Sequence, residues 1–284
     1  MDTQSESGSL TGNPLIMVDR LGQAIWLDYI RRDILTDGTL HRLIQNDAVK
    51  GVTSNPAIFE QAITSDTLYK KVIENGVRLG MEPAAIYEQV VVEDIRLAAD
   101  ILFPVYEKTS GVDGFVSLEV SPHLANQTET TCKEARRLWL LVDRPNLMIK
   151  VPATDAGILA IKTLVGEGLN INVTLLFSRE VYRHVANAYI EGINTWMEQG
   201  GDPARVAGVA SFFVSRIDSV IDSLIEDRLK GAMPAEVKRL ESLQGKVAVA
   251  NAKLAYQDYL RLFDQPGWKR LAKQGAGPQR LLWA

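Results

Sequence analysis

The sequence predicts an α/β fold of the TIM-type (β/α)8 barrel class, and three observations indicate it. Short runs of apolar or β-branched residues alternate with long stretches of helical periodicity along the 284 residues. This alternation is typical of a parallel sheet whose strands are joined by helical crossovers. No linker rich in glycine, serine or proline divides the chain. A polar residue closes almost every apolar run, at the strand end where parallel barrels carry their chemistry.

Seven short runs are predicted to be strands, because continuous apolar character fits a sheet that is buried on both faces. In chain order they are Ala24–Asp28, Gly51–Thr53, Phe115–Glu119, Leu147–Val151, Asn170–Thr174, Val206–Phe213 and Arg280–Ala284. A closed barrel needs an eighth strand with its helix. We therefore expect residues 14–284 to form a barrel-type domain that lacks the eighth strand and the C-terminal helices. Exposed edges on the first and seventh strands would make such a domain poorly stable.

The segments between these runs are predicted to be helices. They are Thr39–Asn46, Thr67–Leu79, Ala84–Phe103, Thr128–Val142, Gly157–Val165, Ser178–Gln199, Ile217–Leu229 and Ala235–Phe263. Ser178 is the predicted N-cap of its helix, since a serine hydroxyl can accept a hydrogen bond from the first turn. Residues 1–13 are polar and lack the apolar centre of a secretory signal. They are predicted to be a disordered tail.

Composition argues against several classes of protein. The chain has 31 Lys and Arg residues against 35 Asp and Glu, a net charge of −4, which argues against a nucleic-acid partner or a polybasic membrane surface. Cys132 is the only cysteine, so an intrachain disulfide cannot form and nothing suggests an oxidising compartment. The sequence contains no run of 18 apolar residues, so it does not predict a membrane span. The cytoplasm is therefore the expected location.

Familiar catalytic motifs are missing from the sequence. The three histidines, His41, His123 and His184, do not have the spacing of metal ligands. The chain contains no phosphate-binding loop, no dinucleotide-binding glycine fingerprint and no serine nucleophile elbow. Chemistry must therefore be sought in the polar residues at the predicted strand ends.

Lys150 is the most informative of these residues. It lies within the apolar run Leu147–Val151 and is followed closely by Pro152. Burial disfavours a charged ammonium group, so a lysine in a buried strand tends to lose its proton and become a nucleophile. Such an amine can form an imine, or Schiff base, with a carbonyl substrate. The alternatives are an exposed lysine on an edge strand and a lysine in a structural ion pair.

Imine chemistry needs further groups, and the other strand ends offer them. Asp28 can take the proton of the reacting hydroxyl when a carbon–carbon bond breaks. Glu119 and Thr174 can hold the water that leaves and returns at the imine carbon. Arg216, just past the sixth strand, can bind a phosphate through its fork of donors. Amide and hydroxyl groups that can fix sugar hydroxyls complete the set: Asn55, Asn172 and Ser211.

Most of these assignments have a structural alternative. Asp28 can cap the loop that follows it, and Asn55 can initiate a turn together with the next residue, a proline. Glu119 can belong to a structural ion pair, and Thr174 can be ordinary strand content. Arg216 can pair with a nearby aspartate on its own helix.

Six segments of the chain, in order, resemble the transaldolase family, with the closest likeness to its longer bacterial subgroup. They are Trp26–Tyr29, Gly51–Phe59, Val116–Val120, Leu147–Thr154, Asn170–Phe177 and Ala210–Asp218. The resemblance implies the role of Schiff-base lysine for Lys150 and of proton-transfer aspartate for Asp28. It implies that Glu119 and Thr174 position the catalytic water. The residues implied to bind substrate are Thr53, Asn55, Asn172 and Ser211, with Arg216 at the phosphate.

The resemblance also implies an activity. The family transfers a dihydroxyacetone unit from sedoheptulose 7-phosphate to glyceraldehyde 3-phosphate, which gives erythrose 4-phosphate and fructose 6-phosphate in the non-oxidative pentose phosphate pathway. It uses no metal and no organic cofactor, so small sugar phosphates are the expected partners. A class I aldolase that acts on fructose 6-phosphate at the same site is the near alternative. An inactive, truncated relative is the other, because in the family a loop after the seventh strand completes the phosphate site.

Overall fold

A computed structural model describes residues 12–65 and 67–284. Residues 1–11, most of the predicted N-terminal tail, lie outside the described residues. Within the described parts, seven parallel strands form one sheet whose strand order follows the chain. The strands are β1 (Ile25–Leu27), β2 (Val49–Thr53), β3 (Phe115–Glu119), β4 (Leu147–Pro152), β5 (Ile171–Leu176), β6 (Gly208–Phe212) and β7 (Arg280–Trp283). This is the α/β class that the sequence predicts, consistent with a TIM-type barrel without its eighth strand.

Helices separate the strands. They are α1 (Pro14–Arg20), α2 (Arg32–Thr36), α3 (Thr39–Asp47), α4 (Pro56–Ser65), α5 (Lys70–Arg78), α6 (Pro83–Lys108), α7 (Thr128–Val142), α8 (Asp155–Val165), α9 (Arg179–Glu198), α10 (Ser215–Leu229), α11 (Pro234–Glu241), α12 (Val247–Phe263) and α13 (Pro266–Ala272). Short 3₁₀ turns occur at Thr67–Tyr69, Pro122–Leu124 and Pro203–Arg205. Among the described residues, none of these helices combines the length and the apolarity that crossing a bilayer requires.

The helical predictions differ from the structure in two ways. The prediction of one helix over Ala235–Phe263 is wrong, because α11 ends at Glu241 and α12 begins at Val247. Gly245 lies in the break with a φ of 65°, a left-handed conformation that interrupts a helix. Helices α1, α2, α4 and α13 were not predicted, although proline opens three of them, at the first-turn position that proline favours.

The chain divides into two compact units. The first comprises residues up to Ser117 together with Arg144–Asn146, and the second comprises Leu118–Asp143 together with Leu147–Ala284. That residues 14–284 form a single barrel domain stays a prediction.

The core of the first unit forms around α6. This helix buries one apolar face, which includes Val90, Ile95 and Leu102. Strands β1 and β2 pair in parallel, and Trp26 lies opposite Gly51 in their register. An indole fits at this position because the facing residue has no side chain.

The core of the second unit forms around β4, β5 and β6. All six residues of β4 are buried, as are all five of β6, as expected of strands in a sheet covered on both faces. Ser178 caps α9 as predicted, since its side chain accepts a hydrogen bond from the Val181 amide. Thr154 caps α8 in the same way through the Gly157 amide.

Candidate active site

Lys150 and Glu119 form the centre of the candidate site in the second unit. Lys150 lies in the middle of β4 and is 6 % exposed, so it is not a lysine on an exposed edge. Its Nζ lies 3.6 Å from Oε2 of Glu119, the last residue of β3. An amine and a carboxylate at this separation can exchange a proton through a small shift of either side chain or through one water molecule. The ion-pair alternative for Glu119 is compatible with the same distance.

Strand register brings Asn172 and Thr174 onto the same face as Lys150. In the β4–β5 pair, Lys150 lies opposite Asn172, and Pro152 lies opposite Thr174. Side chains alternate along a strand, and directly opposed residues share a face. Lys150, Asn172 and Thr174 therefore point to one side of the sheet, and all three are buried.

Ser211 extends this polar group onto β6. Its hydroxyl donates a hydrogen bond of 2.7 Å to Oδ1 of Asn172. The bond holds the Asn172 amide with its oxygen towards β6. Two residues predicted to bind substrate are thus in direct contact, although 39 positions separate them in the chain.

A β-bulge follows Thr174. The register between β5 and β6 shifts between Val173 and Leu176, which leaves three steps on β5 opposite two on β6. Leu175 has a φ of 60°, a left-handed conformation that costs a residue with a side chain roughly 1–2 kcal/mol. Bulges occur next to active sites, where they redirect a side chain or end the pairing of two strands. The predicted strand end at Thr174 coincides with this irregularity, while pairing resumes at Leu176.

Arg216 lies at the second residue of α10 and is exposed. Its guanidinium carbon lies 4.9 Å from the ring centroid of Phe213, which itself stacks on Phe177 at 5.1 Å. A cation over an aromatic face is favourable and restricts the position of the guanidinium. Within the described part of the chain Arg216 forms no ion pair, so the alternative of pairing with a nearby aspartate on α10 is not observed.

Three predicted residues lie in the first unit. Asp28 directly follows β1 and is exposed. Thr53 ends β2, and its buried Oγ1 has no hydrogen-bond partner among the described residues. A buried hydroxyl without a partner is costly, so Thr53 suits contact with a bound substrate or water. Asn55 accepts a hydrogen bond of 3.0 Å from the Ile58 amide at the start of α4, which is compatible with the turn-initiating alternative that the sequence left open.

A buried polar cluster in the first unit was not predicted. It consists of Arg32, Tyr69 and Asp94, which bond to one another, and Arg32 lies four positions after Asp28 in the chain. The available signal was Asp94, a charged residue on the apolar, buried face of α6. Within the described ranges, 12–65 and 67–284, no three His, Cys, Asp or Glu residues are grouped so that they could hold a metal ion.

Comparisons with known proteins identify the family. A family model described as Transaldolase/Fructose-6-phosphate aldolase matches residues 25–270. The chain belongs to this family. The chain is 48% identical to the transaldolase of Trichodesmium erythraeum over 273 residues, which are 96% of this chain and 72% of that protein. It is 47% identical to transaldolase 2 of Nostoc punctiforme over 97% of this chain and 73% of the relative.

A third relative agrees with these two. The transaldolase of Thiobacillus denitrificans is 48% identical over 94% of this chain and 72% of that protein. The predicted resemblance to the transaldolase family is therefore confirmed. These matches support a transaldolase activity for the chain, that is, a transferase whose family works through a Schiff base.

Proposed function

We propose that this chain transfers a dihydroxyacetone unit from sedoheptulose 7-phosphate to glyceraldehyde 3-phosphate, with Lys150 as the Schiff-base lysine. The observation that carries the proposal is the buried Lys150 amine, 3.6 Å from the Glu119 carboxylate and on one strand face with Thr174. The products are erythrose 4-phosphate and fructose 6-phosphate.

In the first step, the Lys150 nitrogen attacks the ketone carbon of the donor sugar. The carbonyl oxygen takes up a proton and leaves as water when the iminium forms. Glu119 is the proposed carrier of these protons, and the Thr174 hydroxyl, on the same face as Lys150, helps to hold the departing water. The hydrogen-bonded pair Asn172 and Ser211 lies on the neighbouring strands, where it can bind hydroxyl groups of the sugar.

In the second step, Asp28 removes the proton of the substrate hydroxyl next to the bond that breaks. The carbon–carbon bond cleaves, its electron pair moves towards the iminium, and erythrose 4-phosphate leaves as an aldehyde. The resulting enamine attacks the aldehyde carbon of glyceraldehyde 3-phosphate and forms the new bond, while the aldehyde oxygen takes the proton back from Asp28 and becomes a hydroxyl group. Water then hydrolyses the iminium, which releases fructose 6-phosphate and restores the Lys150 amine. The role of Asp28 rests on the resemblance of its segment to the family.

Arg216 is the proposed phosphate ligand. Its guanidinium is exposed and held over Phe213, and guanidinium groups bind phosphate through two parallel hydrogen bonds. Sugar phosphates are therefore the proposed partners of the site. Neither a cofactor nor a nucleic-acid partner is proposed, and the cytoplasm as location remains a prediction from composition.

Aldol cleavage at the same site is the second candidate, because the family description includes fructose-6-phosphate aldolase. An aldolase releases the dihydroxyacetone unit when the enamine is protonated, whereas a transaldolase passes it to an aldehyde. The names of the relatives favour transfer. Turnover of fructose 6-phosphate with and without erythrose 4-phosphate as acceptor separates the two activities, since only an aldolase releases dihydroxyacetone at a comparable rate without the acceptor.

Borohydride trapping tests the role of Lys150. Incubation with fructose 6-phosphate followed by reduction should leave a covalent adduct on the peptide that contains Lys150, and Lys150→Ala should abolish it. Lys162→Ala is the matched control, because Lys162 is an exposed lysine of the second unit that pairs with Glu191. An adduct on another lysine, or an undiminished adduct in Lys150→Ala, would contradict the proposal.

Asp28→Ala tests whether Asp28 acts in carbon–carbon cleavage and not in imine formation at Lys150. The variant should slow carbon–carbon cleavage at least about 100-fold, in line with loss of a general base, while trapping at Lys150 proceeds nearly as in the wild type. Equal slowing of both steps would show that Asp28 does not act on the reacting hydroxyl.

A further inference from the structure

The segment that follows Asp28 is fixed by a buried polar cluster in the first unit. Asp94 on α6 is fully buried, and both of its carboxylate oxygens accept hydrogen bonds. Oδ1 accepts from Nε of Arg32 at 2.6 Å, and Oδ2 accepts from the Tyr69 hydroxyl at 2.7 Å. A second carboxylate, Glu93, accepts from Nη2 of Arg32 at 3.0 Å. One arginine therefore connects α2 to two consecutive residues of α6.

Tyr69 completes the cluster as a helix cap. Helix α2 begins at Arg32, and the residue before it provides no side-chain cap. Instead the Tyr69 hydroxyl accepts a hydrogen bond of 2.8 Å from the Arg32 backbone amide, across 37 residues of the chain. The same hydroxyl donates a hydrogen bond to Asp94, so it bridges the Asp94 carboxylate and the first amide of α2. The Arg32 guanidinium also lies 5.3 Å from the centroid of the Tyr69 ring.

Such an arrangement is costly to build. A charged carboxylate in a protein interior is unfavourable unless charges and hydrogen bonds compensate it. Burial raises the pKa of the Asp94 carboxyl, and the Tyr69 hydrogen bond and the Arg32 charge oppose that rise. Apolar residues of similar volume in place of a buried ion pair often stabilise a protein equally well, so core packing alone does not account for the network. The element that it fixes is α2, a helix of five residues.

The position of α2 in the chain indicates which segment the cluster of Arg32, Tyr69 and Asp94 holds in place. Only three residues, Tyr29–Arg31, separate Asp28 from Arg32. Before Asp28, β1 is held by its pairing with β2, in which Leu27 lies opposite Val52. Within the three-residue connection, Ile30 is fully buried. The exposed Asp28 carboxylate thus projects from a short loop that is anchored on both sides.

We propose that Arg32, Tyr69 and Asp94 are positioning residues that fix the loop carrying the Asp28 carboxylate for carbon–carbon bond cleavage. This inference rests on the proposed function, in which Asp28 moves the proton of the reacting hydroxyl. A displacement of about 1 Å by a change distant from the chemistry can lower a rate about 100-fold. Formation of the imine at Lys150 does not require Asp28, so disturbance of the cluster affects cleavage and spares trapping.

Tyr69→Phe is the decisive variant, because it keeps the ring and removes only the hydroxyl that connects the Arg32 backbone amide to the Asp94 carboxylate. We expect the cleavage rate to fall about 10- to 100-fold, while the rate of borohydride trapping at Lys150 stays within about twofold of the wild type. Tyr182→Phe is the matched control. Tyr182 is equally buried, and its hydroxyl has no hydrogen-bond partner among the described residues, so both rates should stay unchanged.

A double-mutant cycle distinguishes positioning from a general loss of structure. In the Asp28→Ala background the carboxylate is absent, so Tyr69→Phe should lower the residual cleavage rate no further. The same fold-change in both backgrounds, or a parallel fall in trapping, would overturn the proposal. If Tyr69→Phe does not fold, Arg32→Lys provides the same test. Its cleavage rate should fall relative to its rate of trapping at Lys150. Lysine keeps the charge but cannot bond Asp94 and Glu93 through a planar fork.

The outcomes also separate this proposal from the function on which it rests. If the wild-type chain shows no adduct at Lys150, the Schiff-base function fails. If trapping and cleavage are normal in the wild type and Tyr69→Phe cleaves at the wild-type rate, the function stands and the positioning role is refuted.

Discussion

A methyl group at position 51 would occupy space that the Trp26 indole now fills. A Cβ built on Gly51 would lie 2.9 Å from Cε3 of Trp26 and closer still to Cδ2 and Cε2. Carbon atoms in favourable contact are about 3.5–4.0 Å apart. In Gly51→Ala the indole must therefore move by about 1 Å, although β1 and β2 pair directly at these two residues.

The cost follows from the limited freedom of the ring. Trp26 is half-buried and belongs to a strand of three residues, so its displacement strains the β1–β2 ladder. Insertion of a methylene into a packed site costs typically about 1–3 kcal/mol. We expect Gly51→Ala to lower the free energy of unfolding by about 2 kcal/mol, which raises the unfolded fraction roughly 30-fold.

Urea unfolding followed by tryptophan fluorescence measures this change. Gly267→Ala is the matched control, because no atom lies within 4 Å of a Cβ at that position. Gly267 lies in α13, where alanine is preferred to glycine, so the control should be as stable as the wild type or more stable. In a Trp26→Leu background the clash is relieved, and Gly51→Ala should cost clearly less. An unchanged midpoint for Gly51→Ala in the wild-type background would refute the reasoning.

Two further predictions concern buried ionisable groups. Burial raises the pKa of the Cys132 thiol, so a thiol reagent should modify this buried cysteine at neutral pH far more slowly in the native protein than in urea; equal rates would place it at the surface. The hydrogen bond from Arg179 holds the pKa of Asp258 below its ordinary value of 3.8, so the stabilisation is present at neutral pH and disappears as the pH falls through that lowered pKa. Asp258→Asn should therefore unfold at a lower urea concentration than the wild type at pH 7, with the difference vanishing in acid; a difference independent of pH would contradict this assignment.

Elements with a clean pattern and a clear boundary could be predicted from sequence. Helix α7, Thr128–Val142, and strand β3, Phe115–Glu119, have the predicted bounds. In α7 the apolar residues recur with helical periodicity, and the helix ends at Val142, just before Asp143, which adopts a left-handed conformation. Such signals are local, so neighbouring residues in the chain are sufficient to read them.

Elements shaped by distant contacts could not be predicted. The break between α11 and α12 is stabilised by Asp222, whose carboxylate accepts a hydrogen bond from the Gly245 amide. The bulge in β5 depends on pairing with β6 and leaves no mark in the local pattern around Leu175. In both cases, the Asp222–Gly245 bond and the β5–β6 pairing, the residues between the two partners give no sequence pattern that predicts the contact.

The same distinction applies to the site. The candidate residues were identifiable because a polar group after an apolar run is a local feature, as at Glu119 and Thr174. Their mutual contacts were not identifiable. The bond between Ser211 and Asn172 spans 39 residues, and the bond between Arg32 and Asp94 spans 62. Imine chemistry and the family resemblance supplied the roles, whereas the bonds that join Arg32, Tyr69 and Asp94 are visible only in the structure.

The Lys150–Glu119 pair at the candidate site is longer than the two arginine pairs that compensate the buried carboxylates of Asp94 and Asp258. Asp94 lies 2.6 Å from its arginine and Asp258 lies 2.8 Å from Arg179, as expected of charge-assisted hydrogen bonds that compensate a buried carboxylate. Lys150 is also buried and Glu119 is half-buried, yet the closest approach of their charged groups is 3.6 Å. Oppositely charged groups at that distance attract each other but are too far apart for a short hydrogen bond between the two. Because a Schiff-base lysine must release its proton and attack a carbon atom, the looser pair is the one suited to chemistry.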